Sequence, residues 1–273
     1  MDSATTNPLP LQRNIILTLL ITVAIVAWAA LARQAAGMSM RMASPTMGMA
    51  APVFLATWVI MMIAMMFPAA APMILTFHRV QAAKRQRGEP FVFAWVFLAS
   101  YLLVWTLAGV VAYAGGAAAE FGLRHANVSA SVVGRAGGAL LVLAGVYQFS
   151  RLKDLCLSKC RTPMTFIVTM WRDGVGGAIK MGTVHGGFCL GCCWLLFAIL
   201  FPLGIMNIAA MAAVTLLIFA EKTLPFGRQI ASIAGVALVL YGAAALVAPQ
   251  MLPPMTVGNG MTMLVGPAGA VRT

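Results

Sequence analysis

Six side chains in the second half of this 273-residue chain are suited to metal or redox chemistry: Cys156, Cys160, His185, Cys189, Cys192 and Cys193. In HGGFCLGCC, a helix advancing ~100° per residue places His185, Cys189, Cys192 and Cys193 within a single arc of about 100°. Cys156 and Cys160 are one helical turn apart and stack in the same way. Thiolate and imidazole donors gathered on one face suit a soft or borderline ion: Cu(I), Zn(II) or an iron–sulfur cluster. The cysteine count of five is odd, which argues against a structural disulfide framework. Free cysteine is also a common buried apolar residue. Two tight clusters, however, favour ligation over packing. A haem-attachment C-x-x-C-H sequence is absent and the spacing is not that of a zinc finger.

Methionine is the second source of sulfur. WVIMMIAMMFPAAAPM carries Met61, Met62, Met65, Met66 and Met73, with Pro68 and Pro72 expected to break the helix and free backbone carbonyls. Helical spacing brings Met62, Met66 and Met73 to one side. A single methionine is ordinary gap-filling; a run beside prolines is a candidate weak metal site. MSMRMASPTMGM supplies Met38, Met40, Met42, Met47 and Met49, and the tail supplies Met251, Met255, Met261 and Met263. Exposed thioethers gain little from burial. They resist the disulfide chemistry that disables thiols, so these segments, Met261 and Met263 included, are candidates for outer capture of Cu(I).

The elements that must position these residues are membrane helices. The chain is 62% hydrophobic and 9% charged, against roughly 25% charged in a soluble domain. The same composition excludes a disordered polymer. The expected fold is all-α, a polytopic bundle of about seven spans. They run near Ile15–Ala32, Pro52–Phe77, Phe91–Tyr113, Val132–Phe149, Val184–Phe201, Ile205–Ala220 and Ile230–Val247. The first is read as a retained helix, since no small-residue cleavage site follows it. With the N-terminus inside, thirteen of the eighteen basic residues fall on inner segments and five on outer ones, a strong positive-inside bias. The net charge of +12 therefore reports topology and not nucleic acid. The cysteine face then lies at the inner end of the fifth span. A short interfacial helix is expected near Pro163–Arg172, and Asn207 is a candidate cap for the sixth span. Glu221 and Lys222 are read as an interfacial salt bridge to each other. Three units follow: residues 1–50, a first span and Met-rich outer loop; 51–250, a six-helix bundle carrying the motifs; and 251–273, a Met-rich outer tail, expected to be disordered. No paired buried carboxylates, Ser–His–Asp set or phosphate loop supports a pump or hydrolase, so no catalytic residue is assigned.

Taken together, WVIMMIAMMFPAAAPM, SYLLVW, GVYQFSRLKDLCLSKCRTP, MGTVHGGFCLGCCW, MNIAAM and FAEKTLP resemble a bacterial family, domain-of-unknown-function family 2182, described as predicted metal-binding integral membrane proteins. The resemblance covers about Trp58 to Leu246. It implies that the Met–Pro motif and Cys156, Cys160, His185, Cys189, Cys192, Cys193 and Glu221 are family positions, and that the protein sits in the bacterial inner membrane. The expected function is Cu(I) handling or transport: outer methionines capture, Met62, Met65, Met66 and Met73 offer weak sites, and the inner Cys/His cluster receives. Zinc or an iron–sulfur centre are the alternative cofactors. A membrane thiol redox enzyme, and a helical subunit or assembly factor with a structural metal, are the alternative functions. The lipid bilayer, membrane-complex subunits or a metallochaperone are the expected partners.

Overall fold

The computed structural model of the chain describes residues 8–37, 45–46, 48–125 and 128–252. It is all-α among these residues. The helices are α1 (Pro8–Gly37), α2 (Ala51–Gln86), α3 (Ala94–His125), α4 (Ala130–Tyr147), α5 (Arg151–Arg161), α6 (Pro163–Met170), α7 (Gly174–Ala198), α8 (Leu200–Leu203), α9 (Ile208–Thr223) and α10 (Gly227–Val247). Among the described residues, five helices are long and apolar enough to cross a membrane, and α4 with α5 is a sixth if the bent pair is one span. The expected fourth and sixth spans are present but short: α4 has 18 residues and α9 has 16, against the ~20 a straight crossing takes. The bundle is a polytopic transmembrane fold. Its outer faces are apolar and open, as Val111 on α3 (72% exposed) and Ile233 on α10 (71%) show, which is the surface that acyl chains solvate.

α2 is the central helix. It packs against α1, α3, α6 and α9, so it is buried nearly all round, and Met61, Met62, Met65, Met66 and Met73 are each 1% exposed or less. The expected break at Pro68 and Pro72 does not occur, and the helix is continuous from Ala51 to Gln86. Proline at position 68 has no N–H for the carbonyl of Ala64, which would otherwise be orphaned in a dry environment. Trp28 of α1 supplies the replacement, its Nε1 donating to Ala64 O at 3.1 Å.

Glycines set the other close contacts. α4 and α10 meet backbone to backbone. A Cβ on Gly145 would lie 2.7 Å from Gly235 O, and one on Gly242 would lie 2.7 Å from Gly138 O. α3 and α7 cross at Gly182 and Gly186, where a Cβ would run into Ser100 Oγ and Phe97 O, or into Val104. Small residues permit this approach in a membrane, where helix association rests on contact and not on expelling water.

The helix ends segregate into two faces. At one, Lys84 pairs with Asp173, Arg228 pairs with Asp154 at 2.9 Å, and Arg161 donates to Leu224 O at 2.7 Å. The start of α1 joins this face, where Gln12 lines a cleft with Arg85 and Gln86. At the other, Thr46 donates to Glu120 and Pro249 lies against Gly134. α3 runs twelve residues beyond Tyr113, the expected end of the third span, and so takes in Glu120 and His125. α6 forms as expected, with Phe166 and Ile167 buried. Asn207 caps α9, accepting from Ala209 N at 3.1 Å and Ala210 N at 3.2 Å.

Candidate metal-binding site

α7 begins at Gly174, ten residues before the expected fifth span, after Asp173 and a positive φ of 75° at Gly174. Hydropathy alone places the start beyond Lys180, a residue that stays exposed on the helix. The extension moves the cysteines from the inner end of the span into its middle and C-terminal half. The four residues of the expected face, His185, Cys189, Cys192 and Cys193, are all buried, at 2%, 0%, 1% and 1% exposure.

Cys189 is the hub. Its Sγ is 3.1 Å from Tyr101 Oη on α3, accepts from Lys222 Nζ on α9 at 3.0 Å, and lies 4.0 Å from Met66 Sδ on α2. Cys192 Sγ is 3.2 Å from Cys193 Sγ and donates to Cys189 O at 3.2 Å. Cys160, half-buried on α5, interacts with both Cys189 and Cys192. Sulfur from α2, α5 and α7 thus converges on one buried point beside an ammonium. Among the described residues no three His, Cys, Asp or Glu side chains form a preformed metal cage; the cluster is a hydrogen-bonded thiol network with a thioether at its edge. Soft donors, no carboxylate and a dry setting fit Cu(I) better than a hard ion.

Cys156 stands apart. It is buried against Gly191, where a Cβ would be 2.7 Å from its sulfur, and Tyr147 Oη donates to the carbonyl of the same glycine. His185 is also outside the sulfur contacts. Its ring lies 5.9, 5.6 and 5.5 Å from the rings of Phe97, Tyr101 and Phe166, and its Nδ1 has no hydrogen-bond partner. Of the Met–Pro residues, Met66 is brought to the cluster. Met61, Met62, Met65 and Met73 fill the core around α2. Of the methionines expected outside, Met49 is half-buried with its sulfur accepting from Thr57 Oγ1 at 3.9 Å, and Met251 is exposed. Met38, Met40, Met42, Met47, Met255, Met261 and Met263 lie outside the described residues.

The expected Glu221–Lys222 salt bridge is not formed. Neighbours on a helix are ~100° apart and do not face each other. Lys222 turns to Cys189. Glu221 pairs with Lys153 on α5, its oxygens 2.8 and 3.0 Å from Nζ, and Gln148 Oε1 accepts from the same amine. Lys153 and Lys222 are therefore buried and are not loop charges, so two of the thirteen inner basic residues do not bear on topology. Spacing on α7 could not reveal Lys222 or Tyr101. The available signal was a charged pair at the end of an apolar span, where an ionisable group is a functional candidate by default.

No curated protein matches the chain, and no solved structure matches it. A family model described as PpoB2, copper chaperone, matches residues 55–245, well over half the chain. The match takes in the Met–Pro helix, all five cysteines, His185 and the Glu221–Lys222 pair. It leaves out α1 and both Met-rich segments expected on the outer side. This is the family that the sequence motifs resemble: the chain belongs to the PpoB2 copper-chaperone family.

Proposed function

We propose that this protein is a membrane-embedded Cu(I) carrier, a chaperone or transporter that holds copper as cargo on the sulfur cluster of Cys160, Cys189, Cys192, Cys193 and Met66. The observation that carries the reading is the convergence of these side chains from α5, α7 and α2 around a buried ammonium. Cu(I) held by two thiolates carries a net charge of −1, and Lys222 offsets it where the dielectric is low and an uncompensated charge is costly. His185, one helical turn before Cys189 with an unpartnered ring nitrogen, is the next candidate ligand. The outer methionines Met38, Met40, Met42, Met47, Met49, Met261 and Met263 act as capture sites. Met62, Met65 and Met73 offer weak thioether stations along α2. Passage from thioether to thiolate is downhill in affinity, so direction needs no nucleotide.

The test is Cu(I) stoichiometry and affinity on the full-length protein purified in detergent, against the Cys189→Ser/Cys192→Ser/Cys193→Ser variant. Tight binding in the wild type that the variant loses is expected; binding absent from the wild type, or unaltered in the variant, refutes the reading. Mass spectrometry after alkylation adds a second check. Protection that a copper chelator reverses fits a metal site, whereas a stable disulfide fraction in freshly isolated protein favours thiol–disulfide exchange.

A further inference from the structure

The polar knot around Lys153 supplies no copper ligand. Lys153 and Glu221 are each 1% exposed, and removing an ammonium and a carboxylate from water costs several kcal/mol per ion before their attraction offsets it. The best-attested use of such a pair is to fix one register of packing, and here the element fixed is α5. This helix leaves α4 at a bend of 63° and is 11 residues long. Of its three leucines, Leu157 is buried, and Leu152 and Leu155 face outward at 57% and 64% exposure. Its ties to the α9–α10 corner are polar: Lys153 to Glu221, Asp154 to Arg228, and Arg161 to the carbonyls of Leu224 and Pro225. Lys153 and Cys160 are two helical turns apart, so the face anchored by the amine also presents the thiol.

We infer that the Lys153–Glu221 pair positions Cys160, holding α5 against α9 in the register that delivers its thiol to Cys189 and Cys192. On α9, Glu221 reaches α5 while the adjacent Lys222 reaches α7, so one turn of helix sets both halves of the cluster. Cys160 is its only half-buried cysteine; the pair therefore decides whether the deeper thiols are capped. The copper arm of the test rests on the function proposed above, and the thiol arm does not.

The experiment uses the full-length protein in detergent. Lys153→Met/Glu221→Leu removes both charges at similar volume, a change that buried pairs tolerate. In metal-free protein, a water-soluble maleimide, read peptide by peptide by mass spectrometry, is expected to modify Cys160 about tenfold faster in this variant, because α5 without the pair no longer keeps one register and its thiol samples open arrangements. Asp154→Asn/Arg228→Gln, which removes only the exposed tie, leaves the rate within about twofold. The swapped pair Lys153→Glu/Glu221→Lys restores the slow rate, since the Gln148 amide can rotate to donate to the carboxylate. The swap also decides the matter if the apolar pair does not fold. Cu(I) affinity in Lys153→Met/Glu221→Leu drops as far as in Cys160→Ser, and combining the changes costs nothing more, the mark of action through one residue. An unchanged Cys160 rate in the apolar pair, a fast rate in the swapped pair, or additive copper losses overturn the inference. A wild type without Cu(I) binding overturns the proposed function, and the maleimide rates still decide the positioning.

Discussion

Replacing Lys222 by methionine tests the electrostatics of the sulfur cluster most directly. The ammonium is 3.0 Å from Cys189 Sγ and 8% exposed. A thiol that coordinates a metal is deprotonated outright, so in the loaded protein the sulfur cannot escape its charge by taking up a proton. Loss of the ammonium therefore raises the free energy of the loaded state more than that of the metal-free state. At an effective dielectric of about 20, unit charges 3.0 Å apart attract by about 5 kcal/mol. Part of the thiolate charge passes to the copper ion, and the Tyr101 hydroxyl remains as a hydrogen-bond donor. The expected loss is thus about 3 kcal/mol, or roughly a hundredfold in Kd. Methionine keeps the length and volume of the lysine stem, so α9 stays packed. The metal-free variant, relieved of a buried charge, is expected to melt at the same temperature or higher. The assay is competition with a chromophoric Cu(I) chelator in detergent, at low and high salt; burial makes the difference insensitive to ionic strength. A Kd within about threefold of wild type, in a variant that melts normally, would refute the charge-compensation argument.

Three further outcomes are expected. Gly182→Ala places a methyl group against Ser100 Oγ and Phe97 O at the α3–α7 crossing, so thermal unfolding in detergent should show a loss of about 1–3 kcal/mol. Trp28→Phe removes the donor to Ala64 O and should cost about 1–3 kcal/mol; Pro68→Ala, which restores a helical N–H to that carbonyl, should recover most of it in the double variant. Asp173 is held below the usual carboxylate range first by its hydrogen bond from Lys84 and then by that from Trp171. A depressed folded-state pKa contributes stability that is present above the unfolded value and lost as pH falls through the folded one. The Tm difference between wild type and Asp173→Asn should therefore hold above the ordinary carboxylate value of 3.8 and fade as the pH falls below it through the lower folded-state value.

The membrane class and the arc of His185, Cys189, Cys192 and Cys193 were legible because both depend on local sequence: apolar run length and helical phase. The start of α7 was not, because hydropathy cannot tell an exposed Lys180 on a helix from one in a loop. The prolines misled for a related reason. Whether a freed carbonyl breaks a helix depends on a donor elsewhere, and Trp28 lies thirty-six residues from Ala64. Lys222, Tyr101 and Lys153 join the site through lateral packing of α3, α5 and α9 on α7, which no spacing rule encodes. Met66 could not be singled out from Met61, Met62, Met65 and Met73 by phase, because all five are buried on a helix packed nearly all round.

The Trp28–Ala64 contact also bears on modularity. The family match begins at residue 55, so the indole that satisfies the Met–Pro helix comes from a segment the family does not define. The matched unit in that sense depends on a helix outside it. Excising residues 55–245 as a minimal copper-binding unit would expose a bare backbone oxygen in the hydrocarbon layer, two residues from Met66.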